Sequence, residues 1–212
     1  MALAEVTLFF AFTIGICKIL YYYRHVHFLA QLMPVIVAGL FLYIPLGIMY
    51  YARRRPAEHG IALHRFGYSV TVALSVSATI LPAFVLLYSV YQQRFLHQSL
   101  RWGLDQGWYL TLVFQLLCVA FPEEVFYRGY MQSRLNQVYG KRICLGGAQC
   151  GFGLLYTAVL FALGHYLIVF QLPSLATFIP GLAFGWLREK TGGIVAPTIF
   201  HALCNGTVLF LQ

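Results

Sequence analysis

The sequence predicts an all-α fold: a polytopic membrane helical bundle of about seven transmembrane helices with one short interfacial helix. The chain has 212 residues, of which 60% are hydrophobic and only 9% are charged. Its mean hydropathy is +0.75. A soluble domain has roughly 45–50% apolar and about 25% charged residues. The apolar residues also fall into stretches of about 20, which is the length that spans a bilayer.

Seven apolar stretches are the predicted transmembrane helices, near residues 3–23, 28–51, 66–92, 108–139, 147–170, 173–188 and 194–211. We expect the second helix to kink at Pro34 and Pro45, because proline cannot donate a backbone hydrogen bond. Residues 94–106 place leucine at every fourth position opposite polar residues, which is typical of a helix that lies in the membrane interface. The first stretch lacks the layout of a signal peptide, so we interpret it as a retained helix.

Small residues recur at a spacing of four in two of the predicted helices, at Gly147 and Gly151 and again at Gly181 and Gly185. This spacing lets two helix backbones approach each other closely. The sequence shows no internal repeat, low-complexity tract or soluble segment. We therefore predict one integral-membrane domain, residues 1–212.

The net charge of +8 comes mostly from basic residues between the apolar stretches. The positive-inside rule accounts for these residues, so they do not indicate a nucleic-acid partner. The loops after the second, fourth and sixth helices contain Arg53, Arg54, Arg55, Arg65, Lys141, Arg142, Arg188 and Lys190. The alternate loops contain Arg24, Arg94 and Arg101. This bias predicts a cytoplasmic N-terminus.

The fourth predicted helix carries two adjacent carboxylates, Glu123 and Glu124, although the chain has only six acidic residues. Carboxylates at membrane depth are costly, so they need a partner or a function. On a helix Glu124 and Arg128 share a face at i and i+4, and we expect them to form an ion pair. Glu123 then points elsewhere as the free carboxylate. We expect Pro122 to kink or restart the helix just before both acids.

Two of the seven histidines, His165 and His201, lie inside predicted transmembrane helices. His201 and Asn205 are four residues apart and share one helical face. A single intramembrane histidine or asparagine most often forms hydrogen bonds between helices. Together with Glu123, however, these residues supply a base, imidazoles and hydrogen-bond donors from three helices. This set suits hydrolysis of an acyl bond, in which a carboxylate deprotonates water and donors stabilise the oxyanion.

Three motifs resemble those of the CPBP family of intramembrane proteases, also called Abi or type II CAAX prenyl endopeptidases, which includes Rce1-like enzymes. In chain order they are Glu123-Glu124-x-x-x-Arg128, Phe161-x-x-x-His165 and His201-x-x-x-Asn205. The glycine-rich connection at residues 180–197 matches as well. The resemblance covers about residues 114–206, and we expect a catalytic core at about residues 108–212.

The resemblance implies an intramembrane endopeptidase of the glutamate type, which cleaves a peptide bond near the membrane end of its substrate. Glu123 would be the general base that activates water, with help from His165. His201 and Asn205 would stabilise the oxyanion.

The resemblance also implies supporting roles. Glu124 and Arg128 would hold the acidic helix in place, and Phe161 would pack beside the site. The substrate would be a membrane protein or peptide with a prenylated tail, a leader peptide or a C-terminal sorting signal. The last class indicates a myxosortase-like bacterial member. The short chain favours a prokaryotic protein, so we expect a multi-pass protein of the bacterial cytoplasmic membrane.

A zinc-dependent version of the protease is an alternative, with Glu123, His165 and His201 as three ligands. We favour a mechanism without metal and predict no other cofactor, because Asn205 is a poor zinc ligand but a good oxyanion donor. The five cysteines are odd in number and form no CxxC pair, which argues against a disulfide framework or a cysteine-based zinc site.

The alternative from another functional class is a non-catalytic membrane protein, such as an immunity protein, that binds a peptide in the same cavity. Substitution of Glu123 distinguishes a protease from a peptide-binding protein, because binding can survive without a base but water activation cannot. A proton-coupled transporter is disfavoured, since transporters usually place polar or broken helices in both repeat halves.

Overall fold

The computed structural model describes residues 1–63, 65–97, 103 and 106–211. Within these residues the chain forms seven main helices, as predicted. They are α1 (Ala2–Tyr22), α2 (His27–Tyr51), α3 (Phe66–Tyr91), α4 (Trp108–Tyr139), α5 (Phe152–Val169), α6 (Phe178–Thr191) and α7 (Val195–Phe210). Short 3₁₀ segments at Pro56–His59 and Leu172–Thr177 lie before α3 and α6.

Five helices, α1 to α5, are long and apolar enough to cross a membrane. Helices α6 and α7 have 14 and 16 residues, which is fewer than the roughly 20 residues of a complete span. Large apolar side chains such as Leu8, Phe12, Leu86 and Leu87 are exposed on the outside of the bundle, as expected for a lipid-facing surface. The predicted all-α polytopic bundle is confirmed.

Helix α4 lies at the centre of the bundle. Every residue from Val125 to Gln132 is buried, and α4 packs against α1, α2, α5, α6 and α7. Helix α3 packs mainly against α7 and buries few side chains. The acidic motif therefore lies at the start of the longest unbroken run of buried residues in the part of the chain that the structure describes.

Helix α4 runs through Pro122 without a break, so the predicted restart at this proline is wrong. Two segments of wider π-helical geometry, Gln115–Ala120 and Val125–Gln132, flank the acidic pair. A regular α-helical hydrogen-bond pattern could not continue unchanged past a residue that lacks an N–H. Segments of π-helix within longer helices are frequent at functional sites. Helix α2 likewise continues through both of its prolines.

A β-hairpin occupies the predicted start of the fifth helix. Strands β1 (Ile143–Leu145) and β2 (Ala148–Cys150) pair in antiparallel fashion. Gly146 and Gly147 form the two-residue turn with φ values of 55° and 77°, a conformation that glycine adopts readily and other residues rarely. The prediction that Gly147 and Gly151 lie on a helix interface is therefore wrong, because both residues precede α5.

The close approach predicted for the second pair of glycines is confirmed. A side chain at Gly185 would come within 2.8 Å of Leu154, and one at Gly181 would come within 3.4 Å of Phe161. These glycines let α6 lie directly against α5. The predicted start of the sixth helix at residue 173 falls in the preceding 3₁₀ segment.

The predicted interfacial helix at residues 94–106 falls largely outside the described residues. A π-helical segment, Gln92–Leu96, continues α3 up to His97, which has a left-handed backbone with φ of 53°. The first residues of the predicted interfacial helix thus belong to the end of α3.

Candidate active site

The predicted ion pair between Glu124 and Arg128 is confirmed. Arg128 donates from Nη1 to Glu124 Oε1 at 2.9 Å, and both side chains are fully buried. Arg128 also donates from Nη2 to the backbone oxygen of Gly181 at 3.1 Å. A Cβ at Gly181 would meet Phe161 and Ala158 of α5, so the missing side chain lets α6 pack closely against α5 beside this contact. Arg128 therefore joins α4 to α6 as well as neutralising its neighbour.

Aromatic rings surround the Arg128 guanidinium. Its central carbon lies 4.6 Å from the ring centroid of Phe161, 5.0 Å from that of Phe184 and 5.6 Å from that of Tyr127. The faces of aromatic rings attract cations, and the attraction is stronger away from water. The rings and Glu124 together stabilise a positive charge that has no exposed surface. Phe161 packs beside the site, as predicted.

His201 lies between the two glutamates. Its Nδ1 is 2.9 Å from Glu124 Oε1, and its Nε2 is 3.8 Å from Glu123 Oε2. A carboxylate can only accept a hydrogen bond, so Nδ1 donates to Glu124. Glu123 takes no part in the ion pair between Glu124 and Arg128, as expected. Adjacent residues differ by only about 100° around a helix, and an imidazole from α7 lies between the two carboxylates and is approached by both.

Packing fixes the His201 ring from two sides. The Phe184 ring stacks on it with centroids 4.5 Å apart and an interplanar angle of 17°. The Phe161 ring meets it edge-on at 5.7 Å and 82°. The imidazole therefore presents its Nε2 atom to Glu123 in a defined direction.

The Glu123 carboxylate is only partly satisfied. Its side chain is 14% exposed, and its Oε2 atom is buried without a hydrogen-bond partner. The separation of 3.8 Å from His201 Nε2 is too long for a direct hydrogen bond. Buried polar atoms nearly always have partners, and the exceptions are often functional atoms or atoms that bind water. The predicted free carboxylate is thus present, beside His201.

His165 lies apart from the acidic pair. Its Nδ1 is 2.9 Å from the backbone oxygen of Phe161, which can only accept, so Nδ1 is the donor and Nε2 keeps its lone pair. Among the described residues His165 forms no ion pair with either glutamate. The structure brings His201, and not His165, next to Glu123.

A cavity of about 280 Å³ connects the remaining predicted residues. The side chains of His165, His201 and Asn205 place imidazole and amide nitrogens on one part of the cavity wall. The rest of the wall comes from α3, α5, the segment before α6, α6 and α7, and is mostly apolar. It includes Ile80, Leu81, Phe84, Phe161, Thr177, Ile179, Pro180, Ala183 and Val208. Glu123 is not among the lining residues and approaches this wall at His201. The cavity therefore suits a mostly apolar ligand whose one polar group lies next to the two histidines.

Sequence reasoning missed two residues of the site. Asn205 donates from Nδ2 to Gln115 Oε1 at 3.0 Å, which links α7 to α4. Gln115 is the only amide side chain in residues 108–121, so an isolated polar group in an apolar helix was the available signal. Phe184 stacks on His201, but nothing distinguishes one phenylalanine among 18 in the sequence.

No group of three His, Cys, Asp or Glu side chains among the described residues is close enough to hold a metal ion. Glu123 and His201 lie together, whereas His165 stands apart. The zinc alternative therefore has no ready ligand set in this arrangement. The expectation of a reaction without metal stays a prediction.

A helical membrane bundle that buries two carboxylates and a histidine beside an apolar cavity has the features of an intramembrane hydrolase. Residues 105–207, which extend from just before α4 into α7, match the family model described as type II CAAX prenyl endopeptidase Rce1-like. In these residues the chain is similar to the Rce1-like family, which is a family of proteases. All seven predicted site residues lie within the matched region. No curated protein and no solved structure matches the chain.

The match confirms the predicted resemblance and supports a CAAX-type intramembrane endopeptidase in general. It also supports a membrane-associated protein or peptide as the substrate. The myxosortase-like subtype, the residue roles and the kind of substrate stay predictions.

Proposed function

We propose that the protein is an intramembrane endopeptidase of the glutamate type, in which Glu123 activates the water that attacks the peptide bond. One observation carries this proposal: Glu123 Oε2 is buried without a partner, 3.8 Å from His201 Nε2 and next to the cavity wall. The gap is too long for a direct hydrogen bond between the two atoms. A water molecule placed there would contact a base on one side and a ring nitrogen on the other.

The proposed reaction begins when Glu123 removes a proton from water, and the resulting hydroxide attacks the carbonyl carbon. The carbonyl oxygen becomes the oxyanion of a tetrahedral intermediate. The carbon–nitrogen bond then breaks, and the proton held by Glu123 passes to the leaving nitrogen. Glu123 is restored as a carboxylate, and the net change is addition of water across the peptide bond.

His201 and Asn205 are the proposed oxyanion donors. Because His201 donates from Nδ1 to Glu124, its Nε2 can donate only when the ring carries both protons. Glu123 and Glu124 are the carboxylates that would balance that charge. Asn205 contributes its amide N–H from the next turn of α7, on the same side of the cavity.

His165 is proposed to bind the water or the leaving group through Nε2. Its Nδ1 donates a hydrogen bond to the backbone oxygen of Phe161, so in the neutral ring Nε2 is an acceptor. In this arrangement His165 acts from the cavity wall and helps Glu123 without touching it.

The substrate is proposed to be a prenylated tail, a leader peptide or a C-terminal sorting signal that reaches the cavity from the lipid. The cavity wall supports this proposal, since its apolar residues suit the apolar side chains of such segments.

We also propose a bacterial cytoplasmic membrane with the N-terminus in the cytoplasm. Contacts that join the basic loops at one end of the bundle support this orientation. Arg54 and Arg134 both bind Glu5 of α1, and Lys141 binds Glu189. These contacts place the N-terminal end of α1 beside the more basic loops, on the side that the positive-inside rule assigns to the cytoplasm.

The test compares protein termini in cells that carry the wild type, Glu123→Gln or Glu58→Gln at equal protein levels. Glu58 is exposed, so the control makes the same chemical change away from the site. We expect a discrete set of membrane-proximal termini to disappear in Glu123→Gln alone, because loss of a general base typically costs about 10²–10⁴-fold in rate. If Glu123→Gln cells keep every terminus and the wild-type phenotype, the catalytic role is wrong and a peptide-binding membrane protein replaces it.

A further inference from the structure

The amide of Asn205 is held by a residue of another helix. Its Nδ2 donates to Gln115 Oε1 at 3.0 Å, across 90 positions of sequence, and both side chains are partly buried. Gln115 lies at the first position of the π-helical segment of α4, eight residues before Glu123. The contact thus links the helix of the proposed base to an oxyanion donor on α7.

The close packing of α4 against α7 makes this contact possible. Gly206, the residue after Asn205, lies directly against the side chain of Leu112 of α4, and a Cβ at this position would clash with it. The missing side chain allows the two helices to approach at the level where a glutamine can reach the asparagine. The hydrogen bond and the glycine contact are independent observations of the same junction.

A hydrogen bond of this kind determines where the asparagine N–H groups point. The terminal torsion of asparagine is broad and roughly two-fold, so an amide without a partner samples many orientations. A primary amide has two N–H groups in one rigid plane. When one N–H donates to Gln115, the direction of the second is fixed as well.

We propose that Gln115 is a positioning residue for the reaction: it orients the Asn205 amide so that its second N–H is available to the oxyanion. This inference rests on the proposed function. Asn205 lines the cavity, whereas Gln115 is not among the lining residues. Gln115 therefore acts through Asn205 and does not contact the substrate.

The test measures how fast the Glu123-dependent termini appear after pulse labelling, in cells with matched protein levels. Gln115→Leu removes the acceptor and is expected to slow cleavage about tenfold, which is typical for loss of one hydrogen bond. Asn205→Ala is expected to slow cleavage about 10²–10³-fold, the usual cost of losing an oxyanion donor. Gln115→Glu keeps an acceptor oxygen and should retain most of the rate. Gln31→Leu makes the same change at an exposed site on α2 and should match the wild type.

The double variant Gln115→Leu/Asn205→Ala separates positioning from general damage. A residue that acts only through Asn205 has no further effect once Asn205 is gone, so the double variant should be as slow as Asn205→Ala alone. A merely structural role would slow cleavage by the same factor in both backgrounds, and that result would overturn the inference. Thermal unfolding in detergent should show that Gln115→Leu is fully folded at the assay temperature, although loss of the hydrogen bond between α4 and α7 lowers the midpoint slightly.

The outcomes also separate this inference from the proposed function. If Asn205→Ala is slow and Gln115→Leu cleaves at the wild-type rate, only the positioning role of Gln115 is wrong. If Asn205→Ala itself cleaves at the wild-type rate, the oxyanion assignment fails and the role of Gln115 fails with it. If Glu123→Gln leaves all termini in place, the proposed function is overturned as a whole.

Discussion

Two pairs of glutamates in this protein differ in how far their carboxylate oxygens are satisfied by hydrogen bonds. One end of the bundle, here called the loop end, contains Glu5 at the start of α1 and Glu189 at the end of α6. Both oxygens of each of these glutamates accept hydrogen bonds. The donors are Arg54, Tyr130 and Arg134 for Glu5, and Gln132, Asn136 and Lys141 for Glu189. In the middle of α4, Glu123 and Glu124 each keep one buried oxygen without a partner.

This difference distinguishes a structural carboxylate from one that is available for chemistry. A saturated carboxylate is stabilised in its ionised form by its donors and links the elements that supply them. An unsatisfied buried oxygen lowers stability, so a fold keeps it only where the surroundings compensate or the atom has a task. The comparison predicts that similar substitutions have different effects on stability in the two regions.

The largest effect on stability is expected for Arg128→Met, which removes the buried cation and leaves Glu124 without its main partner. Breaking a buried ion pair in this way typically costs about 3–5 kcal/mol. Unfolding measured in mixed micelles should show this loss. The double variant Arg128→Met/Glu124→Gln should recover part of it, because no uncompensated charge remains. Arg24→Met, at an exposed arginine, is the control. Equal stability of Arg128→Met and the wild type would contradict the comparison.

The next largest effect is expected for Glu189→Gln. The side chain is 1% exposed, and the new amide group would face donors in place of an acceptor. The cost of such a mismatch is about 1–3 kcal/mol. The rate of terminus formation per folded molecule should not change, since Glu189 lies outside the site. A Glu189→Gln variant that unfolds like the wild type but has lost cleavage would reverse the assignment of the two regions.

Much of the bundle could be predicted from the sequence, because length and hydropathy alone predict helices in a membrane. The hairpin was missed for a physical reason. Gly147 and Gly151 fit a helix-packing spacing, but adjacent Gly146 and Gly147 also fit a two-residue turn, which requires positive φ at both positions. Spacing along the chain did not decide between the two.

Helical periodicity predicted only those parts of the candidate site that lie on a single helix. The i and i+4 relation predicted the pairing of Glu124 with Arg128 and the shared face of His201 and Asn205. Which groups meet across helices depends on tilt and rotation, which periodicity does not contain. The contacts of His201 with both glutamates, and of Asn205 with Gln115, therefore required the structure.

A smaller effect on stability is expected for Glu123→Gln, which should not show the loss predicted for Glu189→Gln. The substitution removes charge from a buried oxygen that has no donor, so the variant should be as stable as the wild type or more stable by about 1 kcal/mol. Unfolding of Glu123→Gln and Glu189→Gln in the same micelles gives the sharpest form of the comparison. A large loss of stability in Glu123→Gln would show that Glu123 is a structural carboxylate after all.

The smallest effect concerns pH and the loop end of the bundle. Burial lowers the pKa of His59 below its ordinary value of 6.5, and the charges of Arg54 and Arg188 act in the same direction. The unfolded chain then binds a proton more readily than the folded one, so stability is complete above about pH 6.5 and falls as the pH decreases below it.

We expect His59→Phe to remove this part of the pH dependence of the unfolding midpoint, and the exposed control His25→Phe to retain it. An unchanged pH profile in His59→Phe would assign the dependence to other groups. Cleavage by the folded protein should not depend on this histidine, which lies outside the site.

The π-helical geometry of α4 has a consequence for how related sequences are aligned. Each residue of an α-helix turns the chain by about 100°, whereas the wider π-helical turn takes up one extra residue. Deleting one residue within Gln115–Ala120 and restoring α geometry would therefore leave the turns on either side facing nearly as they do now. Leu112 would still face α7, and Glu123 and Arg128 would keep their places. A gap of one position in this segment changes the local turn and not the faces of its flanks. Alignments across it are best judged by the helical face that each residue occupies.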